Sequence, residues 1–450
     1  MNIIHLGGEN TVTGSCHLLR ANGLNIMIDC GLVQGDDSVI PMQSWPVKPS
    51  QVDYLFLTHA HIDHIGRVPE LIEKGFRGEI ITSHPTKAIL APMLEDAMGF
   101  TDMTSDAAAK MSEVIEELSW GFEYNQIFDL KRGVTFKLGR AGHILGSCWV
   151  QFDISDHMTV VFSGDLGVKD TPILCDPDVP EGCDLLILES TYGDRLHGDR
   201  RDRVRRLGKI LTRALVDKGK ILIPSFALGR TQELIYEMDR LFSDPELRKE
   251  FPELNSGSRI PVFLDSPLGL EITKIYSRLS EYWDKEAKHI LRQGDHPIDF
   301  DHLYAVEGHM DHLKLCDMDG QAVIIAGSGM CTGGRILKHL KAGITDQKND
   351  IFFVGYQARG TPGRDIMRYS KRPGGYVVLD GEKFDIKARV HALSGYSAHA
   401  DQKELIAWVA SMPEKPGRIK LVHGEARAQK ALEKKIGELT ADFTTCSVGR

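Results

Sequence analysis

The sequence predicts an α/β protein in which one domain is split by the insertion of another. Three observations carry this. Over roughly the first 190 residues, short β-rich runs alternate with turns, and nearly every run ends in polar residues. From about Arg200 apolar strands alternate with helices, the pattern of a mostly parallel sheet. From about Val390 the short-strand style resumes and closes on a helix rich in Ala, Glu and Lys. The expected boundaries are 1–197 for the first part of the split domain, 198–380 for the insert and 381–450 for the second part.

In the first part, NIIHLGG, CHLLRANGLNIMIDCG, VDYLFLTHAH, EIITSHP, CWVQFDI, MTVVFSGDLG and DLLILESTYG read as strands. Each is β-branched or apolar and bounded by turn formers. Between Pro85 and Trp120, TKAILAPMLEDAMGF and AAAKMSEVIEEL have helix-forming composition. Pro92 is expected to interrupt the first of these unless it sits near a helix start. The insert's strands are KILIPSF, IPVFLDSP, QAVIIAGSG, DIFFVGY and GYVVLDG, and RIKLVHGE follows it. No internal repeat or low-complexity tract interrupts the chain.

At 450 residues the chain exceeds one ordinary core. A content of 42% hydrophobic and 26% charged residues excludes a disordered chain. MNIIHLGGEN has no basic start and no long apolar run, so no signal peptide is expected. No window approaches the roughly 18 apolar residues of a membrane span. Eight scattered cysteines without a C-x-x-C pair read as reduced thiols in a cytosolic protein. The net charge of −9 disfavours a polyanionic partner, but its distribution does not. Residues 200–220 hold nine basic and two acidic residues, and residues 356–375 hold five and one. These local charges of +7 and +4 leave −20 on the remainder. For the first stretch a solvated helix face is an equal alternative, since Val204, Leu207, Leu211 and Leu215 form a helical apolar stripe.

THAHIDHIG, residues 58–66, crowds His59, His61, Asp63 and His64 immediately after an apolar strand. Clustered imidazoles and carboxylates are awkward to bury without a partner for their lone pairs. The same grammar recurs at Asp29, Asp165, Glu189 and His423, each at or just beyond a strand, and at His143 in GRAGHILGS. Alone, Asp29 and Asp165 are good turn formers and Glu189 a strand-end cap. Jointly they build a site. His59 and His61 point to one side of an extended segment and, with His143, offer three nitrogens to one ion. Asp63, His64 and His423 suit a second ion, with Asp165 between the two. Nitrogen and carboxylate donors without thiolate fit two zinc ions, with manganese as the alternative. Two ions about 3.5–4 Å apart deprotonate a shared water and clamp a phosphoryl or acyl oxygen.

H-x-H-x-D-H after a strand is the signature of the metallo-β-lactamase fold, which the sequence resembles also at Asp29, His143 and Asp165. The rest resembles the β-CASP branch of nucleic-acid-cutting members. ESTYGDRLH at 189–197 resembles its first motif, with Glu189 as the acid; LSGYSAHAD at 393–401 resembles the second, with His399; LVHGE at 421–425 resembles the third, with His423. PSFALGRTQE, FLDSPLG and GSGMCTGGR resemble segments of the family's inserted domain. The resemblance covers nearly the whole chain and is nearest the RNA-cutting members: the bacterial ribonucleases and the endonuclease subunit of the pre-mRNA 3′-end cleavage complex. It implies an αββα sandwich interrupted by a β-CASP α/β domain.

It also implies a function. Histidine in the third motif favours single-stranded RNA over DNA. The expected reaction is phosphodiester hydrolysis leaving 5′-phosphate and 3′-hydroxyl ends. His399 protonates the leaving 3′ oxygen and Glu189 orients it; Asp29 joins the catalytic set as a group that orients a ligand histidine. Ser328 and Gly329 of GSGMCTGGR, with Arg335, are expected to cradle phosphate, although a Gly-rich hinge fits the spacing equally. Arg230, Arg359 and Arg364 are expected RNA-backbone contacts. A homodimer is compatible with the sequence, and no membrane partner is expected. The competing functions are a DNA nuclease, a lactam or thioester hydrolase, a silent RNA-binding scaffold and a di-iron electron carrier. Glutamate stands in the last where this chain has His61. GHMDHLKL, with His309, Asp311 and His312, imitates a metal cluster but reads as a helix start or polar loop, because no strand leads into it.

Overall fold

A computed structural model describes residues 1–439 except 36–37, 100, 156–157, 199, 201, 255–259, 356 and 393–394. Leu393 and Ser394 of LSGYSAHAD, Arg201 and Tyr356 of the basic stretches, and the side chain of Leu215 therefore lie outside the described residues. The chain forms two compact units, Met1–Leu196 with Ala398–Arg450, and His197–Ser397. Among the described residues no helix is long and apolar enough to cross a membrane.

The first unit is built on two six-stranded sheets. One holds, in spatial order, β1 (Asn2–Gly7), β2 (Cys16–Ala21), β3 (Leu24–Ile28), β4 (Tyr54–Phe56), β5 (Glu79–Ser83) and β6 (Ser119–Phe122). The other contains β7 (Ile127–Asp129), β8 (Val134–Arg140), β9 (Cys148–Ile154), β10 (Met158–Phe162) and β11 (Leu185–Glu189). Its edge beyond β11 is the strand Arg418–Val422, which pairs with β11 in parallel. Alternation along the strands sorts side chains to two faces. Inward, Leu19, Ile26, Ile28, Phe56 and Ile81 of one sheet meet Phe136, Val150, Phe152, Phe162 and Ile187 of the other in a single core. Outward, Trp149, Val161, Leu186, Leu188 and Leu421 pack on Leu405, Trp408, Leu432 and Ile436 of two helices from the C-terminal part. Helices His84–Met98 and Ser105–Leu118 pack on the first sheet, completing four layers.

Local chemistry explains much of this. CHLLRANGLNIMIDCG is a hairpin, β2–β3, turned at Asn22 and Gly23 with φ of 49° and 75°, the conformation that Asn-Gly adopts most readily. The helix His84–Met98 is capped by Ser83, which accepts from the Thr86 amide at 3.2 Å. It runs straight through Pro92, contrary to the sequence expectation. Burial of Ile89, Leu90, Met93 and Leu94 outweighs the lost backbone hydrogen bond.

The second unit carries an all-parallel six-stranded sheet. Its strands are β12 (Lys220–Pro224), β13 (Val262–Asp265), β14 (Leu303–Ala305), β15 (Ala322–Ala326), β16 (Asp350–Phe353) and, after an excursion, β19 (Arg389–Ala392). The excursion is GYVVLDG, expected in that sheet, which instead forms β17 (Tyr376–Leu379) and pairs with β18 (Glu382–Asp385) in a two-stranded sheet. Through β19, which hydrogen-bonds to β16, the compact unit that holds this sheet runs to Ser397, whereas the expected boundary of the insert is residue 380. The strand RVHA at 389–392, expected in the second part of the split domain, lies in this unit.

Gly139 of β8 lies beneath Trp149 of β9, and a Cβ there would fall 2.0 Å from the indole. Gly139→Ala therefore displaces a core side chain. The expected cost is about 1–3 kcal/mol, read as a lower denaturation midpoint of the first unit, with no change expected in the midpoint of the second.

Candidate metal centre

The carboxyl ends of strands deliver the polar residues. Asp29 follows β3, His59 follows β4, Asp165 follows β10, Glu189 ends β11, and His423 follows Arg418–Val422. Asp29 and His423 adopt left-handed φ of 60° and 50°. That is uncommon for histidine and is held here by its neighbours: the His423 amide donates to Gly8 O at 2.6 Å. The one-turn helix Ile62–Ile65 is stitched to the β3 terminus by Cys30 N to His64 O at 2.8 Å and Leu32 N to Ile62 O at 2.9 Å. This approach needs Gly31, since a Cβ there would lie 1.6 Å from Asp63 O.

Every ligand residue expected from sequence comes together. Donor atoms of His59, His61, His143 and Asp165 lie within 4.8 Å of one another, and so do those of Asp63, His64 and His423. The groups meet at Asp165. Its Oδ2 is 3.5 Å from His59 Nε2, 3.4 Å from His64 Nε2 and 3.6 Å from His143 Nε2, while its Oδ1 is 3.5 Å from His423 Nε2. His61 Nδ1 sits 3.1 Å from both His59 Nε2 and His143 Nε2. Nitrogens of a tetrahedral zinc ion lie about 3.3 Å apart. The buried atoms His64 Nε2 and Asp165 Oδ1 have no hydrogen-bond partner among the described residues. The donor set thus fits cations on its geometry and chemistry.

Electrostatics agree. Burial holds the imidazoles of His59 and His143 well below their ordinary range and His61 at about 4, so all three offer lone pairs at neutral pH. Burial would raise the Asp165 carboxyl, but His423, His64, His399 and His59 keep it well below the usual carboxylate range. His64 is the exception: burial lowers it, yet Asp165, Asp29 and Asp63 together push it well above normal. A cation must displace its Nε2 proton. Its Nδ1 donates to Asp29 Oδ2 at 2.7 Å. Asp29 in turn accepts from the Thr58 amide (2.9 Å), the Thr58 hydroxyl (3.0 Å) and Ser15 Oγ (3.1 Å), so it orients His64 rather than facing the donors directly.

Beside the cluster stands a carboxylate–imidazole pair. His399 Nδ1 lies 3.3 Å from Glu189 Oε2 and 3.7 Å from Asp165 Oδ2. Glu189 is buried and anchored by the Leu166 amide at 2.6 Å and the Thr191 amide at 3.3 Å. The segment carrying His399 is joined in turn to Gly167 as an isolated antiparallel bridge. Burial depresses the His399 imidazole, but Glu189 and Asp165 outweigh it and raise it to about 9.

The expected substrate contacts fare unevenly. Arg230 is 7% exposed, pairs with Glu233 and stacks on Tyr396, so it supports the second unit and is not available to a ligand. Arg335 donates to Asp265 Oδ1 (2.7 Å), Val306 O (2.7 Å) and Glu307 O (2.8 Å), which commits its fork to the protein. The amides of Ser328 and Thr332 close turns on Gly333 O and Ser328 Oγ, so the loop spends on itself amides expected to cradle phosphate. Gly329 is buried. Arg359 and Arg364, by contrast, are exposed. The segment bearing them is tied to GSGMCTGGR by Gln357 Nε2 to Gly329 O at 2.8 Å and Gly363 N to Met330 O at 3.1 Å. In the first basic stretch, Val204, Leu207 and Leu211 are buried and Arg203 and Arg205 pair with Glu237 and Glu250, as a packed helix requires. Thr58 and Ser15, which complete the Asp29 network, escaped the sequence reading. Thr58 opens THAHIDHIG and was legible as a neighbour; Ser15 carried no signal.

Comparison with known proteins matches this arrangement. The Metallo-beta-lactamase superfamily model matches residues 10–225, the Beta-Casp domain model 231–366, and that of the Zn-dependent metallo-hydrolase RNA specificity domain 383–444. Ribonuclease TTHA0252 of Thermus thermophilus is 37% identical over 434 residues, covering 96% of this chain and 95% of its own. Transcription termination factor FttA of Methanocaldococcus jannaschii is 30% identical across 94% of this chain and 67% of its own length. Cleavage and polyadenylation specificity factor 73 of Drosophila melanogaster is 30% identical across 99% and 63%. A crystal structure of a protein from Enterococcus faecalis V583 shares the fold, with a TM-score of 0.51 at 12% identity over 95% of each chain. Strand-end histidines and carboxylates that converge on Asp165, and a relative matched end to end, place the chain in one family: it belongs to the β-CASP nucleases of the metallo-β-lactamase superfamily.

Proposed function

We propose that the protein is a ribonuclease that uses two zinc ions to hydrolyse phosphodiesters of single-stranded RNA, leaving 5′-phosphate and 3′-hydroxyl ends. The observation that carries this is the meeting of two donor groups at Asp165 with the Glu189–His399 pair beside them. His59, His61 and His143 would hold one ion, Asp63, His64 and His423 the other, with Asp165 shared. Bound there, the ions supply Lewis acidity to a phosphoryl oxygen and lower the pKa of a water. Asp29 keeps the His64 ring turned with Nδ1–H toward itself, leaving Nε2 for the site. Glu189 holds His399 at Nδ1, so Nε2 carries the proton given to the departing 3′ oxygen. Support for RNA comes from the RNA specificity domain match at 383–444 and from relatives named as a ribonuclease and a polyadenylation factor. Arg359 and Arg364 would grip the RNA backbone, with the other exposed cations of 356–375 around them.

End-labelled single-stranded RNA tests the proposal. Chelation is expected to abolish cleavage, and His399→Ala to lower kcat by about 10²–10⁴-fold with metal content unchanged. Cleavage that survives chelation, or a fully active His399→Ala, overturns it. Glu189→Gln removes the charge that holds the His399 proton. The alkaline limb of the kcat profile, where the acid is lost, is therefore expected to move to lower pH than in the wild type. Arg359→Ala and Arg364→Ala are each expected to weaken RNA binding and to reduce the salt slope by about 1, at unchanged stability. Arg230→Ala is expected to lower the stability of the second unit, because Glu233 loses a buried partner.

A further inference from the structure

The second unit contains a cluster of metal-type donors that the proposed reaction does not use. Asp265 ends β13 and is completely buried. Its Oδ2 lies 2.6 Å from His312 Nδ1 and 2.6 Å from His339 Nε2, and its Oδ1 accepts from Arg335 at 2.7 Å. A neutral imidazole carries one N–H, so each ring spends its hydrogen on the carboxylate. The nitrogens left with lone pairs are His312 Nε2 and His339 Nδ1. Both lie near a third buried group, Cys316 Sγ, at 3.8 Å and 3.5 Å; Sγ is also 3.9 Å from His312 Nδ1. One donor atom from each of the three residues lies within 4.8 Å of the others.

Three features distinguish this from an ordinary polar core. A thiol has one hydrogen and serves one lone pair, whereas a cation on the thiolate serves both. Nitrogen and sulfur ligands of a tetrahedral zinc ion lie about 3.5–3.6 Å apart, close to the 3.5 Å and 3.8 Å seen here. Asp265 stands behind both rings as carboxylates do behind metal-bound histidines. His312 and Cys316 are one turn apart on the helix His309–Asp317, and His339 lies on Ile336–Gly343. Of GHMDHLKL only His312 contributes: His309 and Asp311 are exposed, and Asp311 pairs with Lys314.

We propose that His312, Cys316 and His339 form a separate site for a borderline divalent ion of the zinc class, oriented by Asp265, that pins these two helices beneath the GSGMCTGGR loop. The Ile336 amide, at the start of the second helix, donates to Gly327 O at 2.9 Å, which links the site to that loop. The proposal is independent of the reaction assigned to the first unit.

Cobalt separates the two sites, since among the described residues the first unit's centre has no sulfur donor. Anaerobic titration of metal-free protein with Co²⁺ is expected to produce a near-ultraviolet thiolate-to-cobalt band, which Zn²⁺ bleaches. Cys316→Ala is expected to lose the band and one equivalent of bound cobalt. Cys175→Ser and His59→Ala are expected to keep the band. Should Cys316→Ala fail to fold, His339→Gln is expected to abolish or shift it. The absence of any band in the wild type overturns the proposal and leaves an Asp265-centred hydrogen-bond network, as does a band that survives both substitutions.

Discussion

A carboxylate buried among imidazoles is the constraint around which the first unit is arranged. Asp165 is 2% exposed, and nitrogens of five histidines, 59, 64, 143, 399 and 423, lie 3.4–3.7 Å from its oxygens. Such a group is costly to bury without positive partners. The surrounding histidines answer that cost partly by carrying charge, as His64 and His399 do, and partly by remaining neutral donors, as His59, His61 and His143 do. Cations suit a site of this composition better than protons, because they satisfy the neutral donors and the carboxylate together.

Satisfying Asp165 dictates how the chain must run. Its partners come from the ends of strands in both sheets and from a strand that the chain reaches only after the insert. His423 is reached through the parallel pairing of Arg418–Val422 with β11, whose own last residue is Glu189. One pairing therefore sets both a donor and the anchor of His399. Behind the donors, Asp29 collects Thr58, Ser15 and His64 in a fully buried network, which fixes ring orientation with hydrogen bonds of 2.7–3.1 Å. The exposed side of the site is formed by His61, Asp63 and His399, which are half-buried.

The second unit shows that a basic stretch is not by itself a nucleic-acid surface. Arg203, Arg230 and Arg335 are consumed by Glu237, Glu233 and Asp265 and hold helices and loops in place. Arg359 and Arg364 sit in a segment that is less basic, +4 against +7, yet remain exposed beside the Gly-rich loop. The same side chain is an internal brace where an acid is folded against it and an exposed cation elsewhere.

Periodicity and turn chemistry made most of the first unit legible. Alternating apolar runs marked its strands and polar residues at strand ends marked the donors, because those patterns are local and follow from backbone geometry alone. What tertiary structure decided is whatever depends on partners distant in the chain. Pro92 could remain inside a helix because packing outweighed a local rule. RVHA joined the second unit because a parallel neighbour at β16 was free to pair with it. Arg230 and Arg335 became internal because their acids were folded onto them. His312, Cys316 and His339 were brought together across separate helices by Asp265. Hydrogen bonds and ion pairs act over a few ångströms of space, whatever the separation along the chain, so only the folded molecule shows which are made.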